Sequence, residues 1–142
     1  MKHIPLYAQN LVNICVDQYR GGDAAGRIYH CYSESPEMFS NVIQMVEKIE
    51  DFFDNISFPQ ASTQVRAFRK TEPAKKKEMK KVVTPPQVVE NKGELGTFLL
   101  HVQYRQNSSW QGDVEWMEGD MGCMQFVSVL ELLKIFNNVL EK

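Results

Sequence analysis

The residues of this 142-residue chain that could do chemistry are few: three cysteines, three histidines, scattered carboxylates and one cluster of lysines. Cys15 and Cys31 fall on adjacent strands of a predicted hairpin. If that hairpin turns symmetrically about Asp23 they face each other, close enough for a disulfide. A redox switch is the sharper reading, and two reduced thiols the plainer one. Cys123 stands elsewhere, in the loop before a predicted helix. No two cysteines are spaced C-x2-C and one of three is always left over, so neither a zinc frame nor a disulfide framework is indicated, and a reducing compartment is expected. His3, His30 and His101 have no partner at i+4 and no third ligand at a recognisable spacing. There is no nucleophile elbow and no phosphate-cradling glycine loop; the Gly21-Gly22 and Gly119/Gly122 pairs sit where turns are needed anyway. The carboxylate pairs Asp113/Glu115 and Glu50-Asp51 belong to strand and helix surfaces. The sequence therefore predicts no enzyme, no metal site and no cofactor.

The lysines are more telling. Sixteen Lys+Arg against eighteen Asp+Glu give a formal charge of −2, which by itself excludes a basic nucleic-acid-coating protein and an acidic disordered chain. The placement of the charges along the chain alters that conclusion. Arg66, Arg69, Lys70, Lys75, Lys76, Lys77, Lys80 and Lys81 are eight cations within a stretch holding only Glu72 and Glu78, a net charge of +6 that leaves −8 for the remainder. Such a strap can release counterions from a polyanion, although Phe68 is its one aromatic and single-strand binders usually interleave several. It can equally be a tether lying back on the acidic body, or a contact for an acidic protein or membrane surface. From Lys70 to Glu94 there is no aromatic, Ile or Leu, and Pro73, Pro85 and Pro86 interrupt any helix or strand, so residues 70–94 are expected to be a flexible linker. Ser62 to Phe68 could add an edge strand.

On either side of this linker the same grammar recurs. In the first unit, 10–56, Val12, Ile14 and Val16 alternate with Asn13, Cys15 and Asp17, Gly21-Gly22-Asp23 supplies a turn, and Arg27 to Tyr32 returns. Ser35-Pro36-Glu37 reads as a helix start, followed by an apolar stripe of Phe39, Val42, Ile43, Val46, Ile49, Phe52 and Phe53. In the second, 96–141, Phe98, Leu100, Val102 and Tyr104 line one side of a strand, Asp113 to Met117 returns, and the helical stripe is Phe126, Val129, Leu130, Leu133, Phe136, Val139 and Leu140. The strands match at an offset of 86 residues and the helices at 87. Each unit is close to the lower limit for burying enough surface alone, so the two should share one core. The expected fold is a single α+β domain over 1–142, made of two ββα repeats sharing one antiparallel sheet of about four strands with two helices on one face.

Tyr104-Arg105-Gln106-Asn107, Trp110-Gln111-Gly112 and the Phe126 to Leu132 run resemble a family of small bacterial proteins that carry an aromatic-RQN-x-x-WQG hairpin ahead of a Leu-rich helix. Gly26 to Tyr32 and Phe58-Pro59-Gln60 are similar to the front half of such proteins. The resemblance implies this architecture and no particular activity.

Trp110 replaces small residues of the first hairpin, and is either a binding anchor at a loop tip or a lid folded on its own sheet. The symmetric-turn rule sets Arg105 opposite Asp113 and Gln103 opposite Glu115 on an outer face; in the first unit that face is less polar, with Leu11, Cys15, Tyr29 and Cys31. The candidate partner-binding residues are accordingly Trp110, Arg105, Asn107, Gln111 and Tyr29. No signal-like apolar run follows Lys2, and nothing approaches the roughly 18 apolar residues of a membrane span. The expectation is a non-enzymatic interaction module of a bacterial cytoplasm, presenting a sheet face and the Trp110 hairpin to a protein partner or to itself. The alternative is a nucleic-acid-associated regulator using the linker lysines.

Overall fold

The structure is a computed structural model that describes residues 4, 8–56, 81–106, 109–118 and 122–140. Nine elements follow in chain order: β1 (Val12–Arg20), β2 (Asp23–Tyr29), β3 (Glu37–Phe39), α1 (Val42–Ile56), α2 (Pro85–Val89), β4 (Gly96–Gln106), β5 (Ser109–Trp116), β6 (Cys123–Phe126) and α3 (Val129–Leu140). The fold is α+β. All six strands form one antiparallel sheet in the order β3-β2-β1-β4-β5-β6, so the expectation of about four strands is corrected to six.

The two extra strands come from segments expected to begin the helices. Glu37–Phe39 pairs with β2, and Cys123–Phe126 pairs with β5, so Phe39 and Phe126 end edge strands with their rings in the core. Each helix starts only after a cap. Asn41 Oδ1 accepts from the Gln44 N–H while Gln44 Oε1 accepts from the Ser40 N–H; Ser128 Oγ accepts from the Glu131 N–H while Glu131 Oε1 accepts from the Val127 N–H. Satisfying these otherwise orphaned amides sets the helix start well after the position that Pro36 suggested. As a result Met45 and Leu132 join the core, whereas Ile43 and Leu130, about 100° round the helix from Val42 and Val129, stay 68% and 64% exposed.

Gly21 and Gly22 both have positive φ, as a tight turn matching the strand twist requires. The first hairpin therefore centres between them, not on Asp23, and Cys15 pairs with Arg27 instead of Cys31. In the second hairpin Arg105 pairs with Trp110, His101 with Asp113 and Leu99 with Glu115, in place of the expected Arg105–Asp113 and Gln103–Glu115 pairs. Both long strands also carry a bulge, between Val16 and Gln18 and between Val102 and Tyr104. One extra residue reverses every side chain beyond it. Tyr104, expected inward, is 65% exposed, and Arg105 turns into the core face.

The two halves are arranged alike. β1 meets β4 with Asn13 facing Leu99, residues separated by 99 − 13 = 86, and on either side Val12 faces Leu100 while Ile14 faces Phe98. Gly26 pairs with Phe39 as Gly112 pairs with Phe126, offsets of 86 and 87. The second half carries one more residue between its second strand and its edge strand, 126 − 112 = 14 positions against 39 − 26 = 13.

Helices α1 and α3 cover one face of the sheet. Met45, Ile49, Phe52 and Phe53 from α1 and Leu132 and Phe136 from α3 pack on Val12, Ile14, Val16, Phe98, Leu100 and Val102 in one buried cluster, with Phe136 stacked on Phe98 at 4.1 Å. Each such side chain contributes roughly 1.5 to 3 kcal/mol of burial. The opposite face is covered by the end of the segment expected to be linker. Pro85 and Pro86 take the first two positions of α2, where an N–H has no helical partner to lose, and Thr84 and Gln87 close a capping box. Val88 then packs with Leu11, Leu99, Cys31 and Ile4 in a second buried cluster. Asn13 Nδ2 donates to the carbonyls of Val88 (2.6 Å) and Asn91 (3.0 Å), tying α2 to the centre of the sheet. Within 70–94 the described residues are 81–94, of which α2 packs on this face of the sheet; residues 70–80 and the Ser62 to Phe68 strand expectation lie outside the described residues.

Candidate interaction surface

Trp110 sits within β5 and not at a loop tip. Its ring is fully buried, edge-on to Phe53 at 5.7 Å between centroids, and its Nε1 donates to a Glu50 carboxylate oxygen. Arg105, directly across the strand pair, is 5% exposed; its Nη1 donates to Glu50 (2.8 Å) and Asp54 (2.9 Å), and the guanidinium lies over Phe53. Both residues thus dock α1 onto the β4–β5 hairpin, and neither presents itself to a partner. Indole and guanidinium share one carboxylate, which is why a polar group tolerates this depth.

The first half has a milder version of the same lock. The Tyr19 hydroxyl and the Asn137 side-chain amide are hydrogen-bonded, and these positions correspond to Arg105 and Glu50 at offsets of 86 and 87. Each helix is consequently fastened to the hairpin of the other half. The counterpart of Trp110 is Ala24. Ala24 is itself buried in the core, and beside it a groove of about 620 Å³ is lined by Asp17, Gln18, Tyr19, Arg20, Asp23, Ala24, Ala25, Ser40 and Leu95.

The apolar outer face expected around Leu11, Cys15 and Cys31 is not a surface; all three are buried, with Leu11 and Cys31 packed in the α2-side cluster. The Cys15 thiol is pushed up to about 11, chiefly by burial, and burial also raises Cys31. None of the three cysteines is in a disulfide. Tyr29, half-buried, takes a hydrogen bond from Arg27 Nη1 at 2.8 Å on its hydroxyl. Arg27 also grips both oxygens of Asp17 at 3.0 Å, and the Glu94 N–H donates to the same carboxylate at 2.9 Å. Burial opposes the Asp17 charge, but the Arg27 and Glu94 bonds outweigh it and hold the carboxyl below its ordinary value. Gln111 is exposed and Asn107 lies outside the described residues. Of the polyanion candidates, Lys81 is exposed, while Arg66, Arg69, Lys70, Lys75, Lys76, Lys77 and Lys80 lie outside the described residues.

His30 stacks on Phe52, 3.9 Å between ring centroids, with Nδ1 accepting from the Tyr32 N–H. Burial pushes its imidazole down to about 4 against the opposing field of Glu37, so it is a neutral core residue at pH 7. Among the described residues no group of three or more His, Cys, Asp or Glu is placed to hold a metal, and no helix is long and apolar enough to cross a membrane.

Among the exposed large apolar side chains, which also include Met38, Val82, Leu95 and Tyr104, sequence reasoning missed Ile43 on α1, with Leu130 on α3 and Val127 just before it. The offset of 87 between Ile43 and Leu130 was visible, but their periodicity pointed inward. Comparison with protein-family models, with curated proteins and with solved structures finds no match to the chain.

Proposed function

We propose that the chain is a non-enzymatic interaction module, a duplicated three-strand-and-helix unit that offers its helical layer to a second copy of itself or to a protein partner. The supporting observation is Ile43 and Leu130, equivalent positions of the two halves that both keep a large aliphatic side chain in solvent. Scattered exposed aliphatics are ordinary; a large aliphatic at the same helical position twice favours a used surface. Trp110, Arg105 and the back of the sheet are spent internally and do not enter this surface. The solution mass of wild type against an Ile43→Glu/Leu130→Glu double variant tests self-association. Concentration-dependent association that the variant loses, with its unfolding temperature retained, supports the reading. A wild type monomeric at every concentration removes the second copy as occupant and leaves only a different protein.

The alternative, a nucleic-acid-associated regulator, draws on the +6 strap between Arg66 and Lys81. A labelled oligonucleotide that binds at low salt, loses affinity steeply as salt rises, and is lost on replacing Lys75, Lys76, Lys77, Lys80 and Lys81 would favour it over the interaction module. No binding at low salt removes it.

A further inference from the structure

We infer that two copies of the chain associate helical layer to helical layer about a twofold axis, α1 of each copy lying on α3 of the other, with Glu47 set against Lys134 of the second copy. This rests on the interaction-module reading, and names the occupant of its helical layer and how that occupant is oriented.

Both helices turn their outer faces the same way. Equivalent residues face each other across the antiparallel strands β1 and β4, and both helices pack on one face, so a half-turn about the normal to the sheet relates the two halves. Such a turn keeps α1 and α3 at one height above the sheet. At about 100° per residue, Glu47 stands about 200° round α1 from Met45 and equally from Ile49, both fully buried, and so marks the outermost line of the helix. Lys134 stands in the same relation to the buried Leu132 and Phe136 on α3. Ile43 and Leu130 come one turn before these charges, Asp51 and Asn138 one turn after, and all six residues are exposed.

At the helical offset of 87, then, the two stripes keep the aliphatic residue and invert the charge: Ile43 corresponds to Leu130, Glu47 to Lys134 and Asp51 to Asn138. The neighbouring charges of α1 are engaged within the fold, Lys48 with Glu37, and Glu50 and Asp54 with Arg105. Glu47, Asp51 and Lys134 enter no ion pair among the described residues. A surface carrying an aliphatic and a charge of each sign at symmetric positions is complementary to itself, which is what a twofold contact between identical copies requires. Turned over and set face to face, a second copy can bring α1 onto α1 or onto α3. The first arrangement sets Glu47 and Asp51 against the same carboxylates and Lys134 against Lys134. The second makes the Glu47–Lys134 contact twice, with Ile43 and Leu130 of both copies one turn away along their helices. The aliphatics supply affinity, and the charges select between the arrangements by penalising like against like.

The test is sedimentation equilibrium of the intact wild type, of Glu47→Lys, of Lys134→Glu, and of an equimolar mixture of the two variants. Each variant alone sets like charges together at both contacts, whereas a mixed dimer restores unlike charges at both. The expected result is a concentration-dependent wild-type dimer, association about tenfold weaker for either variant, and a mixed dimer within about threefold of the wild type. A defect in folding is not relieved by mixing, so the recovery reports contact between copies. Variants as tight as the wild type, with a mixture tighter still, would place α1 on α1 and overturn the inference. A mixture that stays as weak as its components overturns it as well. If Ile43→Glu/Leu130→Glu nevertheless abolishes association in either case, the helical-layer reading stands without this pairing. A wild type monomeric at every concentration overturns the inference and leaves the helical layer to a different protein.

Discussion

Asn13 and Leu99 face each other at the middle of the sheet, and the two are placed alike, one in each half of the chain. Their side chains do opposite things there. Leu99 packs under α2, whereas the Asn13 amide reaches past it to hold the carbonyls of Val88 and Asn91. The central position of the sheet is therefore where α2 and the residues after it are fastened.

Asn13→Leu removes the Asn13 donor from both carbonyls: Asn91 O loses this bond, and Val88 O keeps only the Asn91 N–H and Nδ2 donors. Stranding buried polar groups costs about 1 to 3 kcal/mol. The expected outcome is a lower urea midpoint together with faster hydrogen exchange at residues 82–91 than in the wild type. Unchanged exchange there would refute the role of Asn13 as the fastening.

Trp110→Ala empties the space beneath α1 and deprives Glu50 of a donor. A large-to-small change of an aromatic in a core costs about 3 to 5 kcal/mol. Trp110→Phe keeps the contact with Phe53 and loses only the indole hydrogen bond, so its loss should be clearly smaller. Equilibrium unfolding followed by the remaining Trp116 fluorescence measures both.

His30 makes stability depend on acid. Its imidazole is held at about 4 in the fold against 6.5 when unfolded, so the unfolded chain binds the extra proton and stability falls as pH drops from about 6.5 towards about 4. The difference corresponds to at most about 3 kcal/mol. His30→Leu should flatten this part of the pH profile, read as the urea midpoint between pH 7 and about pH 4.5. A profile identical to that of the wild type would show that other groups carry it.

The cysteines should separate by depth. Cys15 and Cys31 are buried with raised thiols, so little reactive thiolate is available, while Cys123 is half-buried at an edge strand. Brief treatment with a thiol reagent should label Cys123 first and label all three only in denaturant, as read by intact mass. With Cys15 registered against Arg27, mild oxidation should give no Cys15–Cys31 disulfide.

The local periodicities carried far. Alternation at Val12, Ile14 and Val16 and at Phe98, Leu100 and Val102 identified the core face of both central strands, because the strand period of two is a property of the backbone itself. The offsets of 86 and 87, legible in the bare chain, recur in the register of every pair of neighbouring strands that the two halves share. What no window of residues contained was the single extra residue in each long strand. A bulge is decided by how two strands fit each other, and it moved Tyr104 out and Arg105 in. The same holds for cover. Pro85, Pro86 and Val88 read as linker because burial is not a property of a segment but of what lies across from it, here Leu11 and Leu99. Trp110 shows the limit most plainly: its residue type announced an important contact, and only the packing of α1 from the other half decided that the contact is internal.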